Sequence, residues 1–129
     1  MKSSLNDFGL AVLRISASAL MITHGYGKFT KLASGDEIQF PEVLGMSSTL
    51  SLSLAVIGEF ITPILILIGF RTKWAAIPTT LVMAVAAFIV HASDPFIKKE
   101  LALIYFFVFL SIAFLGGGKY SLDAMTRRR

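Results

Sequence analysis

Apolar residues along this chain fall into four long runs separated by short polar breaks: Phe8–Thr23, Leu50–Phe70, Trp74–Val90 and roughly 95–115. A hydrocarbon layer about 30 Å thick takes about 20 residues of helix, so each run is long enough to cross once its ends are included. Helices satisfy their own backbone in lipid, and the short alternating segments of a β-barrel are not seen. The pattern predicts an all-α integral membrane protein. Its architecture is a four-transmembrane-helix antiparallel bundle forming one domain over residues 1–129, with spans at about 8–24, 50–70, 74–91 and 95–115.

Local signals place the breaks. Asp94-Pro95 reads as a helix start, with the carboxylate as N-cap and the proline at the first helical position. Lys98 and Lys99 then snorkel from the first turns, and Gly116-Gly117-Gly118 ends the run. The link Arg71-Thr72-Lys73 is so short that the helices it joins must be antiparallel neighbours. The longest connection, 25–49, holds Pro41 and Gly45 and is expected in the membrane interface. Lys2, Arg71, Lys73, Lys119, Arg127, Arg128 and Arg129 share one side, against Lys28, Lys31, Lys98 and Lys99 on the other. That bias puts both termini in the cytoplasm. Arg14 interrupts the first run, which therefore reads as a retained helix rather than a cleaved signal peptide.

Composition narrows the class further. A hydrophobic fraction of 55%, a charged fraction of 16% and a mean hydropathy of +0.75 exclude a disordered chain, a coiled coil and an ordinary soluble domain. The net charge of +4 sits at the ends of apolar runs, which suits anionic lipid and not nucleic acid. With no cysteine, the chain holds no disulfide, no thiolate-bound cluster, no covalent haem and no thiol nucleophile.

Two ionisable residues fall inside the expected hydrocarbon layer. Arg14 lies ten residues from His24 and Glu59 nine from Leu50, so both sit about 14 Å below the same face. A lone charge there costs at least ~2.5–3.5 kcal/mol. Equal depth and opposite sign predict a structural ion pair between Arg14 and Glu59. Pro63 has no N–H, so the carbonyl of residue 59 loses its usual donor, a gap that Thr62 bridges in part. Charges in the membrane favour a functional site, set against a pair that only fixes packing. The candidate ligand-binding residues are Arg14, His24, Tyr26, Lys28, Glu59 and His91; no catalytic residue is singled out. His91 ends a face of small residues, Thr80, Ala84 and Ala87, that admits a close neighbour. Haem b between His24 and His91 is disfavoured because interfacial histidines are mostly hydrogen-bonded, and two histidines supply too few ligands for a closed zinc site. No metal is expected. Glu100 is expected to pair with Lys28 or Lys99.

Several motifs occur together. Leu13-Arg14-Ile15 precedes His24-Gly25-Tyr26-Gly27-Lys28-Phe29, and Phe40-Pro41 precedes Leu44-Gly45. Gly58-Glu59 leads to Leu65-x-Leu67-x-Gly69-x-Arg71-Thr72, Met83-Ala84 follows, and the tail reads Gly118-x-Tyr120-Ser121-x-Asp123. Across nearly its whole length the chain resembles the DoxX family of small four-helix bacterial membrane proteins. It departs from that family at Ser18 and Thr62-Pro63, where glycines are usual. The resemblance implies a multi-pass protein of the bacterial cytoplasmic (inner) membrane in a redox neighbourhood. Members are similar to a small subunit of a quinone-linked thiosulfate oxidoreductase or are associated with thiol-oxidant complexes. No cofactor is implied by motifs within the chain, so a bound quinone would have to carry electrons. Three readings follow: a quinone-binding subunit of a quinone-dependent oxidoreductase, a non-catalytic scaffold that recruits redox partners, or a small transporter. The expected partners are membrane lipid, redox-enzyme subunits and further copies of the chain, for which Ser16-Ala17-Ser18-Ala19 offers a close-packing stretch.

Overall fold

The computed structural model describes residues 2–127, which form helices and turns with no strand among them. Helix α1 is Lys2–Ala33, α2 is Ser48–Val56, α3 is Thr62–Ile68, α4 is Thr72–Val85, α5 is Phe96–Leu115 and α6 is Leu122–Arg127. A π turn, Ile57–Ile61, fuses α2 to α3, and a second, Ala86–Val90, prolongs α4. Three segments are long and apolar enough to cross a membrane: Ser4–Ala33, Ser48–Ile68 and Thr72–Val90. The fourth long helix, α5, has 20 residues and carries Lys98, Lys99 and Glu100 near its start.

The first helix is longer than the apolar pattern suggested. It runs nine residues past His24, to Ala33, and at 1.5 Å per residue its 32 residues measure about 48 Å. The hydrophobic run marks only the part of the helix that lipid would cover. The second segment starts where Ser47 caps it, the hydroxyl accepting from Leu50 N–H at 3.2 Å. Its π turn has a local cause. Pro63 has no N–H to give to the carbonyl of residue 59, and the ladder widens just upstream, where Thr62 N–H reaches Ile57 O. The Thr62 hydroxyl adds a bond to Ile57 O at 3.1 Å and meets Thr79 Oγ1 on α4 at 2.8 Å.

Asp94 does not cap α5 as its sequence context suggested. Pro95 takes that position without a side-chain bond, and Asp94 turns back to His91 at 2.7 Å. Glu100, for its part, is exposed, and Lys99 donates to Ala92 O at 3.1 Å.

The core joins Ala17 and Met21 of α1, Ile66 of α3, Ala75, Ala76 and Met83 of α4, and Phe109 and Ile112 of α5. Within the small-residue stretch of α1, Ala17 and Ser18 face this core while Ser16 and Ala19 face out. α5 lies antiparallel on α4: five residues connect their near ends, and the Lys73 side chain abuts Gly116 at the far ends. The outer face of α5 is apolar, with Phe114 76% and Ile97 78% exposed, a surface that water penalises and acyl chains do not.

The α3–α4 turn uses two left-handed residues, Gly69 (φ 78°) and Arg71 (φ 48°). The second is uncommon for a side chain with a Cβ. It is held from the tail. Asp123 accepts from Arg71 N–H (2.7 Å), Thr72 N–H (2.9 Å) and the Thr72 hydroxyl (2.7 Å), and its own N–H donates to Gly69 O (2.9 Å). Arg14, 1% exposed, ties the same tail to α1. Its guanidinium donates to Gly117 O, to Tyr120 O at 2.8 Å and more weakly to Leu67 O at 3.4 Å.

Close approach fixes the register of α1 against the second segment. A Cβ on Gly25 would lie 2.2 Å from Glu59 O, so only glycine lets these backbones meet. Gly25→Ala is expected to cost about 1–3 kcal/mol through overpacking. Gly27→Ala, with nothing within 4 Å of its Cβ, is the matched control and should stay within about 0.5 kcal/mol of the parent in thermal unfolding in detergent. Arg14→Leu strands the carbonyls of residues 117 and 120 and should cost about 2–5 kcal/mol. Limited trypsinolysis after the exposed Lys119 checks it, with cleavage faster in the variant than in the parent.

Candidate functional site

The residues that sequence brings under suspicion divide between two ends of the bundle. At the end bearing the 34–47 connection, Lys28 of α1 and Glu59 of the π turn form a close ion pair. The ammonium lies 2.7 Å from each carboxylate oxygen. Glu59 is nearly sealed, its side chain 3% exposed, while Lys28 is 29% exposed. In so dry a setting removing one partner costs about 3–5 kcal/mol, because the other is left charged and alone. Lys28 also lies 5.9 Å from the centre of the Phe40 ring, whose face favours a cation.

The expected Arg14–Glu59 pair is therefore not formed. Its premise was that His24 ends the first helix. The helix continues, and Gly25, eleven residues and about 16 Å beyond Arg14, is what faces Glu59. The long Lys28 side chain then reaches back to the carboxylate, and Arg14 finds carbonyls at the opposite end. Each charge is met locally, Glu59 by an ammonium and Arg14 by carbonyl oxygens. The carbonyl of residue 59, which Pro63 cannot serve as donor, lies against Gly25.

Glu59 and Lys28 form part of the wall of a cavity of about 530 Å³. Phe40, Pro41 and Leu44 cover it from the connection, Leu54 and Ile57 form a second side, and Leu81, Val82 and Val85 of α4 form a third. Its polar lining is Lys28, Ser51, Glu59 and His91. Both π turns border this space: one carries Glu59, and the other ends at His91, whose N–H bonds to Ala86 O at 3.0 Å. Such turns re-aim side chains that a regular helix would send elsewhere. The Ser51 hydroxyl accepts from Val43 N–H at 3.0 Å and so fastens the cover to α2. His91 Nδ1 is 2.7 Å from Asp94 Oδ2. That bond holds the Asp94 carboxyl below the usual carboxylate range, partly opposed by desolvation and aided by Lys98 and Lys99.

Of the six candidate ligand residues, the structure brings Lys28, Glu59 and His91 to one cavity. His24 is exposed and packs on Tyr105, ring centres 6.2 Å apart. Tyr26, 56% exposed, leans on Phe60, which also stacks on Phe29 at 4.8 Å. Arg14 lies at the far end. Sequence reasoning overlooked Asp94 as the partner of His91, although their i,i+3 spacing was visible. It also overlooked Asp123, whose acceptors serve backbone some fifty residues earlier and leave no local signal. A second cavity, about 600 Å³, opens at that end between Phe70–Trp74 and the glycines 116–118, with Arg71, Lys73 and Asp123 in its lining.

The family model described as DoxX matches residues 9–92, a range that contains Arg14, Lys28, Ser51, Glu59 and His91. The chain is 31% identical over 131 residues to the inner membrane protein YqjF of Escherichia coli (strain K12), covering 97% of each chain. It is 32% identical over 125 residues to an "uncharacterized protein" of Haemophilus influenzae, covering 88% of this chain and 87% of the other. No solved structure matches. A family model spanning most of the chain and an inner-membrane relative aligned end to end agree with the apolar helices: the chain belongs to the DoxX family, as a multi-pass protein of the inner membrane.

Proposed function

We propose that this protein is a four-span membrane subunit, both termini cytoplasmic, whose cavity beside Lys28 and Glu59 holds an isoprenoid quinone for a redox partner. The observation that carries this reading is a charged pair set in the wall of a largely apolar space of about 530 Å³, the size range of small-molecule sites. A quinone has the matching chemistry, a flat ring and tail for apolar walls and carbonyl oxygens that accept hydrogen bonds. Lys28 has a third N–H beyond the two that Glu59 takes, and His91 offers a further polar group in the lining. When bound, the quinone supplies the electron-carrying capacity that a cysteine-free chain lacks. The protein's own part is to desolvate the ring and to fix one carbonyl against Lys28, which Glu59 holds in place.

The four-span assignment counts α5, whose length of 20 residues and lipid-like outer face support it despite the charged first turns. An exposed apolar flank of this kind also suits a partner subunit or a second copy of the chain. The engagement of both Glu59 oxygens by Lys28 favours a second reading, a scaffold in which the pair only holds helices together.

Equilibrium dialysis of purified protein against short-chain ubiquinone and menaquinone distinguishes the two. Saturable binding at one site, weakened at least tenfold in Leu81→Trp, which adds bulk to the α4 wall of the cavity, is the expected result. Absence of saturable binding in folded parent protein would leave the scaffold reading.

A further inference from the structure

The polar groups of the cavity are not equally available. Both Glu59 oxygens are engaged by Lys28 at 2.7 Å, and Ser51 is engaged by Val43. His91 differs: Nδ1 is held by Asp94 at 2.7 Å, and Nε2 has no partner among the described residues. A carboxylate on Nδ1 keeps the proton on that nitrogen in the neutral ring, so Nε2 is then an acceptor. Protonation turns Nε2 into a donor with little movement of the ring. Among the residues lining this cavity, His91 alone carries a ring nitrogen that can serve as either acceptor or donor.

We propose that His91, positioned by Asp94, is the proton-exchange residue of this cavity, so that its charge state selects between carbonyl-bearing and hydroxyl-bearing forms of one ligand. The assignment rests on the quinone reading above. A protonated His91 donates to a quinone carbonyl; a neutral His91 accepts from a quinol hydroxyl. Between the two states only the Nε2–H bond is made or broken, the proton coming from or returning to solvent, and the His91 side chain is 36% exposed. The task falls to His91 rather than Glu59 because taking a proton at Glu59 would leave the Lys28 ammonium without its counter-charge.

The charged surroundings fit this division. Asp94 faces His91 from the connecting turn, Lys98 and Lys99 of α5 bear on Asp94, and Lys28 and Glu59 share the cavity from α1 and the π turn. Lys28 and Glu59 pair with one another, leaving Asp94 as the carboxylate in direct contact with the His91 ring. His91 is the binding residue here, and Asp94 is a positioning residue that acts through it.

The test is nitrogen-15 NMR of histidine-labelled full-length protein in nanodiscs, titrated from pH 5 to 8 alone, with oxidised short-chain ubiquinone, and with its quinol. Binding is followed by equilibrium dialysis of the same samples. The His91 midpoint should rise by about one unit with the quinone and fall with the quinol, and quinone affinity should strengthen about tenfold from pH 8 to 5, the same coupling seen from the other side. Asp94→Asn should lower the His91 midpoint and flatten the affinity profile while binding persists, and Asp94→Glu should restore both. Quinone that binds without moving the His91 midpoint overturns the proton-exchange assignment and leaves the quinone reading standing. Failure of either form to bind at any pH overturns both.

Discussion

The organisation of this protein depends on where its membrane-embedded charges find opposite charge or carbonyl oxygen. Taking a charge out of water is so costly that each must be answered within reach of its own side chain. Gly25 sets that reach. By letting the Glu59 backbone come against α1, it brings the carboxylate within the span of Lys28 and carries Arg14 to the opposite end. From this one register follow two separate polar centres, one that binds helices to the tail and one that opens onto a cavity.

The two centres differ in kind. Arg14 is spent on backbone oxygens of residues 67, 117 and 120, and Asp123 clamps the α3–α4 turn from the same tail, so the charged groups at this end tie helices to the tail. The Lys28–Glu59 pair instead borders an apolar space, with His91 and Asp94 in reach of water. A charge pair buried only for stability gains little over apolar packing. Under the proposed reading its place beside an apolar cavity matters, because an ordered ammonium is a strong hydrogen-bond donor. Two π turns bracket the same space, and the bundle tolerates these irregular ladders where they present Glu59 and His91.

Much of the fold was legible because lipid imposes a length and an apolar composition on any helix it surrounds. The runs beginning at Leu50 and Trp74 and the stop at Gly116 all correspond to observed elements. The membership of the site was legible only in part: Lys28, Glu59 and His91 stood out as polar residues at or within apolar runs, yet their pairing did not. Hydrophobicity shows where a helix meets lipid, not where it ends, so nothing marked the nine residues of α1 beyond His24. A depth measured from that residue made Arg14 seem the partner of Glu59. The π turns were hidden too. Pro63 announced a missing hydrogen bond, but not that the helix would widen upstream to absorb it.

The most direct test of this account is a pair of double-mutant cycles read by reversible unfolding in mixed micelles, one with Lys28→Met and Glu59→Gln, the other with Arg14→Met and Glu59→Gln. The account predicts a coupling above about 1 kcal/mol for Lys28 with Glu59 and below about 0.5 kcal/mol for Arg14 with Glu59. A large coupling in the second cycle with none in the first would contradict it.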